Sequence, residues 1–331
     1  MAAASTLLAL DGLPDELVRV EAALRDAVVA DDPYLTEIAS HLIQAGGKRQ
    51  RPAFAIVAGA CKTGELPVPQ EVILGGVAVE LVQVGSLYHD DVMDEALTRR
   101  GVESVNARWG NLRAILSGDF LLAKASEIAA SLGVEVAGLL AATIGSLCEG
   151  QVRELQTTYN SERTEEQYLS AIAGKTASLF AAATRIGAIV ADLPRPQIEA
   201  LTLYGHRYGM AFQIVDDVLD VVATDEQLGK PSGQDLAEGI YNLPVIRALR
   251  RNDAVASELR ALLGSPLERG DVERARKLVR ADGAIEDALV LARSYCDEAI
   301  DALAPLADDG GAPVEALAAA AAALPDSVPD L

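Results

Sequence analysis

The chain has 331 residues, with 28 Lys and Arg against 49 Asp and Glu and a formal net charge of −21. So acidic a chain has no electrostatic footprint for nucleic acid or an anionic lipid surface, because both require Lys and Arg to neutralise phosphate. Hydrophobic residues make up 50% but aromatics only 4%, so the interior must be built from Ala, Leu, Val and Ile, a composition that favours helices.

Residues 13–29 read as an amphipathic helix, with Leu13, Leu17, Val20, Leu24, Ala27 and Val28 stepping by three and four. A second helix is expected over 36–45, closed by Gly46-Gly47, and a third over 52–60 with Pro52 in its first turn. A long helix over 69–94 follows, then a loop carrying Arg99-Arg100-Gly101 and helices near 111–131, 134–158, 165–191, 195–222 and 243–249. No strand alternation of period two is evident, so the fold class is all-α. Residues 224–242, with three glycines and a proline, predict an irregular loop of the length that usually serves function. Length allows about two domains or one large helical one.

Cys61, Cys148 and Cys296 have no paired spacing, so neither a disulfide framework nor a zinc knuckle is readable. The first ten residues lack a basic n-region, and the apolar stretches 72–88 and 134–148 are interrupted by Glu80 and Glu135. A soluble, cytoplasmic protein without membrane insertion is the expectation. His41 and His206 read as ordinary helix residues, and His89 stands beside Asp90, where it could orient it.

Two segments share the form DDxxD: Asp90-Asp91-Val92-Met93-Asp94 and Asp216-Asp217-Val218-Leu219-Asp220. At 3.6 residues per turn, Asp90 and Asp94, and likewise Asp216 and Asp220, stack on one helix face. Like charges so placed repel, and a divalent cation reverses the penalty. Oxygen ligands alone point to Mg²⁺, which takes one or two carboxylates together with substrate phosphate. The plain alternative is a solvated acidic face, but each motif follows an apolar run, 81–88 and 210–215, rather than periodic charge. Fixed cations for a diphosphate are available in Lys48, Arg49, Arg51, Arg99, Arg100, Lys175 and Lys230, several beside glycine. No P-loop is present.

The motifs resemble those of the trans-type isoprenyl diphosphate synthases, or polyprenyl synthetases. The resemblance runs through Gly46-Gly47-Lys48-Arg49-Gln50-Arg51-Pro52, residues 89–94, Arg99-Arg100-Gly101, residues 106–110 with Trp109, Gly118-Asp119, Gly174-Lys175-Thr176, and residues 212–220 and 229–235. It implies a single large helical bundle over residues 1–306 around a deep central cavity, with the aspartate helices facing each other across its mouth. The Ala- and Pro-rich residues 307–331 are expected to be a weakly ordered tail.

The resemblance further implies Mg²⁺ held by Asp90, Asp94 and Asp216, with Asp91 and Asp220 as further metal residues and Asp217 supporting the substrate. Arg99, Lys175 and Lys230 would share an allylic diphosphate, and Lys48, Arg51, Gln83 and Arg100 would form the site for isopentenyl diphosphate. Thr176 and Gln213 would offer dipoles near the allylic cation, so that Lys175, Thr176, Gln213 and Lys230 form the catalytic set. Ionisation, condensation and proton loss would lengthen the chain, in a homodimer. One departure is Ile240, where many family members carry a basic residue. A terpene cyclase would lack the second substrate's site, and a non-catalytic subunit of a heteromeric synthase could do without the aspartates.

Product length is read from the helix before Asp90. Ser86, Val82, Gln83, Val79, Gly75 and Gly76 lie near the aspartate face and none is aromatic. Gly85 and Ser86 occupy the positions where bulky residues would form a floor in the family, although small residues there could equally serve close helix packing. The expectation is a product longer than farnesyl diphosphate, of six or more isoprene units, with geranylgeranyl diphosphate as runner-up.

Overall fold

The computed structural model describes residues 6–228, 232–251, 254–281, 283–307 and 310–329. Helices α1 (Leu13–Ala27), α2 (Pro33–Gln44), α3 (Gln50–Ala60) and α4 (Gln70–Met93) lead to a hairpin of β1 (Thr98–Arg99) and β2 (Val102–Glu103). Then come α5 (Val105–Trp109), α6 (Asn111–Ser131), α7 (Val134–Leu155) and α8 (Glu165–Ile172). A five-residue π-helical turn, Ala173–Ala177, joins α8 to α9 (Ser178–Val190), and α10 (Arg195–Val222) follows. The expected bounds of α6 and α10 coincide with the observed ones.

Local chemistry sets the helix starts. Asp32 accepts from the Tyr34 amide ahead of Pro33, and Thr164 with Gln167 closes a reciprocal capping box at α8. The helix α4 is the axis of the bundle: it packs on α3, α6 and α9, and is buried along most of its length. It is the one described helix long and apolar enough to cross a bilayer, yet 72% of its apolar window is buried inside the protein. Beside it, Phe54, Phe180, Tyr204, Tyr208 and Phe212 gather, the Phe54 and Tyr208 centroids 4.4 Å apart. Most of the chain's few aromatics that pack ring on ring therefore lie between α3, α9 and α10.

Neither the hairpin nor the C-terminal helices beyond residue 250 are among the elements expected from the sequence. The hairpin turns through Arg100 and Gly101, both with positive φ (53° and 77°), as a two-residue turn matched to strand twist requires. The expected loop 224–242 contains two short helices, α11 (Asp225–Leu228) and α12 (Gln234–Ala237). Beyond α13 (Leu243–Arg250) lie α14 (Ala254–Leu262), α15 (Arg269–Arg280), α16 (Ala284–Ala302) and α17 (Gly311–Ala322).

The last of these corrects the expectation of a weakly ordered tail. Leu317, Ala320 and Ala321 are fully buried, and the Tyr204 hydroxyl donates to the Leu317 carbonyl at 2.7 Å. Alanine has the highest helix propensity and no bulk to hold a neighbour off, so an Ala-rich segment can dock closely without the polar contrast that makes a helix legible.

Candidate active site

Two adjoining cavities lie at the end of α4. The larger, about 480 Å³, has Asp90, Lys175, Thr176, Gln213 and Asp216 on its polar wall. Below them Val82, Leu87, Leu122, Ile144, Leu147, Val152 and Leu155 make it apolar. The second, about 330 Å³, is lined by Gly47, Lys48, Arg49, Gln50, Arg51, Glu80, Gln83 and Arg100. Arg51 and Gln83 line both. A further recess of about 360 Å³ puts Lys48 and Asp216 on a common wall with Asp326, Ser327 and Val328, so the C-terminal segment borders the site.

The six aspartates divide into two groups. Asp90 and Asp216 face the large cavity, and Asp94, exposed at the end of α4, lies within electrostatic range of Asp90. Burial is the main cause pushing the Asp90 carboxyl up to about 6; Asp94 adds to it, and Lys175 and Arg99 oppose it. The other three are turned into the protein. Asp91 is fully buried and held by Arg99, with Nη2 at 2.6 Å and Nε at 2.7 Å. Asp220 accepts from the Gln234 and Asp235 amides at 3.3 and 3.2 Å, at the start of α12. Asp217 accepts from the Tyr168 hydroxyl at 2.6 Å and from Gln213 Nε2 at 2.7 Å. Burial pushes the Asp217 carboxyl up to about 7 against the pull of those two donors.

Asp91 and Asp220, expected as further metal residues, are engaged here by protein donors. A buried carboxylate keeps its charge only with donors around it: Asp220 has two amides, whereas both Arg99 contacts reach Asp91 Oδ1 and its buried Oδ2 has no hydrogen-bond partner. Among the described residues no three His, Cys, Asp or Glu side chains gather into a ready-made metal cage. The donor set still fits Mg²⁺, which prefers a few carboxylates with water and phosphate oxygens to a closed cage. The raised Asp90 carboxyl beside Asp94 is the kind of repulsion that a bound cation relieves.

Lys175, Arg49 and Arg100 are held by carboxylates outside the two aspartate motifs. Lys175 Nζ is paired with Glu154 of α7. Burial lowers the Lys175 pKa, but Glu154, Asp90 and Asp94 outweigh it and leave the ammonium above its ordinary value. Glu80, buried in α4, accepts from Arg49 at 2.8 Å and from Arg100 at 3.3 Å. Arg49 is thereby occupied, since it also binds Glu21 at 2.5 Å and the Ile43 carbonyl at 2.8 Å. Arg100, in its strained turn, is anchored by the Leu42 and Gly46 carbonyls. Arg51 lies 4.7 Å over the Phe180 ring, and burial pushes its pKa down to about 10. Lys48 is exposed at the rim, and Lys230 lies outside the described residues. Glu80 could have been found in the sequence: a lone charge within an apolar helix implies a buried partner.

The π-turn explains how Lys175 and Thr176 reach the same cavity. Such turns widen a helix locally and rotate the following side chains. Here the backbone of α7 comes in so closely that a Cβ on Gly150 would sit within 2.4 Å of the Lys175 amide nitrogen, and one on Gly174 within 2.7 Å of the Ser146 carbonyl. Thr176 Oγ1 then meets Gln213 Oε1 at 2.6 Å.

The two chain-length positions separate. Ser86 lines the large cavity, but Gly85 faces α6, where a Cβ would stand 3.1 Å from the Gly118 carbonyl and 3.3 Å from Leu122 Cγ. Gly75 and Gly76 likewise face Ile186 and Pro52. These three glycines serve helix packing, and the apolar wall across from Ser86 is supplied by Leu122 of α6 and Ile144, Leu147, Cys148, Val152 and Leu155 of α7.

A helical bundle with two aspartate helices over an apolar cavity defines an isoprenoid-synthase-type prenyltransferase. Comparison with known proteins agrees. Residues 32–280 match the family model for polyprenyl synthetase. The chain is 39% identical over 296 residues to the nonaprenyl diphosphate synthase of Mycobacterium tuberculosis, covering 89% of this chain and 88% of the relative. It is 39% identical over 292 residues to heptaprenyl diphosphate synthase component 2 of Geobacillus stearothermophilus, covering 88% and 90%. The crystal structure of a polyprenyl synthase from Caulobacter crescentus, complexed with calcium and isoprenyl diphosphate, superposes with a TM-score of 0.90 at 32% identity, covering 99% of this chain and 98% of that one. The chain belongs to the polyprenyl synthetase family.

Proposed function

We propose that the chain condenses an allylic diphosphate with isopentenyl diphosphate and repeats the step to give a long-chain polyprenyl diphosphate. The observation that carries this reading is the pair of adjoining cavities sharing Arg51 and Gln83. One combines carboxylates with an apolar recess; the other is almost wholly cationic and polar, which suits a small second diphosphate. A cyclase has no use for the second.

In this reading Asp90, Asp94 and Asp216 hold Mg²⁺, which neutralises the departing diphosphate. Lys175 and Arg99 bind that diphosphate by leaving Glu154 and Asp91 in part, and Lys230 joins them. Lys48, Arg51, Gln83 and Arg100 hold isopentenyl diphosphate. Arg49 and Glu80 keep that site in shape, since a buried guanidinium on a buried carboxylate has little freedom to turn. Thr176 and Gln213 direct oxygen dipoles at the carbon that becomes positive.

The nonaprenyl and heptaprenyl names of two relatives support a long product, and the cavity residues from the helix before Asp90, Val82, Gln83, Ser86 and Leu87, include no Phe, Tyr or Trp. A homodimer is part of the proposal. Leu112, Ile115 and Leu116 form an exposed apolar stripe on α6, with Leu112 70% exposed. Because one relative is a component 2, the chain's activity alone is the point to establish. A cytoplasmic location accords with three free cysteines.

The test is product analysis of the purified chain with Mg²⁺, isopentenyl diphosphate and a set of allylic primers. Products of six or more isoprene units are expected without any second polypeptide, and a product that stops at farnesyl diphosphate would refute the long-chain reading. Ser86→Phe is expected to shorten the product, because a ring added to a close-walled cavity displaces tail. Gly85→Phe, aimed at Gly118, should instead cost stability.

A further inference from the structure

Resting on the role just given to Gln213, we propose that Tyr168, a residue that lines neither cavity, is a positioning residue that fixes which end of the Gln213 amide faces the reacting carbon. A primary amide has a donor end and an acceptor end of nearly the same shape, and turning it over exchanges them. For a group meant to stabilise a carbocation the sense is decisive, since the carbonyl oxygen attracts positive charge and the NH₂ repels it. Something in the protein must break the symmetry.

Here it is broken by a chain of three hydrogen bonds running from the interior to the cavity. The Tyr168 hydroxyl donates to Asp217 Oδ2 at 2.6 Å. Asp217 Oδ1 accepts from Gln213 Nε2 at 2.7 Å. Gln213 Oε1 accepts from Thr176 Oγ1 at 2.6 Å. Tyr168 is 2% exposed and Asp217 5%, so water does not replace either partner. Were the amide turned over, its carbonyl oxygen would stand against the carboxylate. Asp217 therefore sets the sense of Gln213, and the tyrosine sets Asp217, since its hydroxyl pins the plane of the carboxylate and so keeps one acceptor oxygen aimed at Gln213.

Arg163 supports the phenol from behind. It is 4% exposed, with its guanidinium carbon 5.6 Å over the Tyr168 ring and Nη1 donating to the Tyr241 carbonyl at 3.1 Å. Its Nε and Nη2 have no hydrogen-bond partner. A cation over an aromatic face draws electron density from the ring and makes its hydroxyl a better donor. Arg163 also ties the segment before α8 to Tyr241, in the stretch that follows the second aspartate motif.

The test is a double-mutant cycle read by steady-state kinetics with Mg²⁺ and both substrates varied. Tyr168→Phe is expected to lower kcat about tenfold while leaving both KM values within about twofold. In the Gln213→Leu background the same substitution should change kcat by less than about twofold, because there is no amide left to orient. Arg163→Met, which keeps the hydroxyl, should show a smaller kcat loss with the same dependence on Gln213, and serves if Tyr168→Phe does not fold. Multiplicative effects of Tyr168→Phe and Gln213→Leu, an unchanged kcat, or a loss confined to KM would each overturn the proposal. Wild-type chain that makes no condensation product would instead sink the functional reading beneath it.

Discussion

The two aspartate motifs share a spelling and differ in almost everything around it. At the first, α4 ends within the motif, with Asp94 as its C-cap residue, so the last carboxylate is exposed. At the second, α10 continues past the motif to Val222, so Asp220 is buried in the body of the helix and receives the first amides of α12. The middle carboxylates differ too: Asp91 is held by a guanidinium, Asp217 by a phenol and an amide. Identical letters thus yield two outward carboxylates, Asp90 and Asp94, on one side and one, Asp216, on the other. Helix length decides which carboxylates a motif presents.

The largest effect should come from the carboxylates that face the cavity. Asp90→Ala and Asp216→Ala should each lower kcat at least about 10²-fold, in line with losing one preorganised electrostatic group. EDTA should abolish activity and Mg²⁺ restore it. Full turnover by either variant would erase the distinction between cavity-facing and inward carboxylates.

A smaller effect separates the ends of the motifs. Asp220→Ala should destabilise the fold by about 1–2 kcal/mol, the usual cost of removing an acceptor from helix-terminal amides, whereas Asp94→Ala, exposed, should change stability by less than about 0.5 kcal/mol. Activity should respond in the opposite order. Urea denaturation beside steady-state assays would show it, and equal stability losses would mean that both carboxylates do the same job.

The smallest effect is one of pH. Asp90 is pushed up to about 6 and Asp217 to about 7, against an ordinary 3.8. Folded protein therefore binds protons more tightly than unfolded chain between about pH 4 and 7, and the sign follows: the stability these groups contribute is fully present below the ordinary value and is lost as pH rises through about 6 and then about 7. Melting temperatures of metal-free protein should fall across that window, and saturating Mg²⁺ should flatten the Asp90 part. A rise with pH would show that other groups dominate.

Much of this was legible in the residues because periodicity reports on burial. The bounds of α6 and α10 emerge from apolar spacing, and the aspartates and arginines stand out as charges where apolar residues belong. What was not legible depends on contacts between segments far apart in sequence. Glu154 looks like any acid in an acidic chain until α7 meets the π-turn at Lys175. Tyr168 looks like a core aromatic until α10 brings Asp217 to its hydroxyl. Gly85 and Ser86 are neighbours in sequence, yet one helical step of about 100° sends the first to α6 and the second to the cavity. Family resemblance joined those two positions, and side-chain direction separates them.

The contact between Gly150 and Gly174 also draws a boundary for anyone wishing to reshape the product. Around Gly150 on α7, Leu147, Cys148, Gln151 and Val152 all border the cavity. Their side chains can be enlarged or trimmed to lengthen or shorten the space without disturbing any main chain. At the two glycines no such latitude exists: a single methyl at position 150 would press on the Lys175 amide itself. A library that randomises this face of α7 should hold those two positions fixed, and its yield of active variants would measure how sharply backbone contact, rather than side-chain chemistry, limits redesign of the wall.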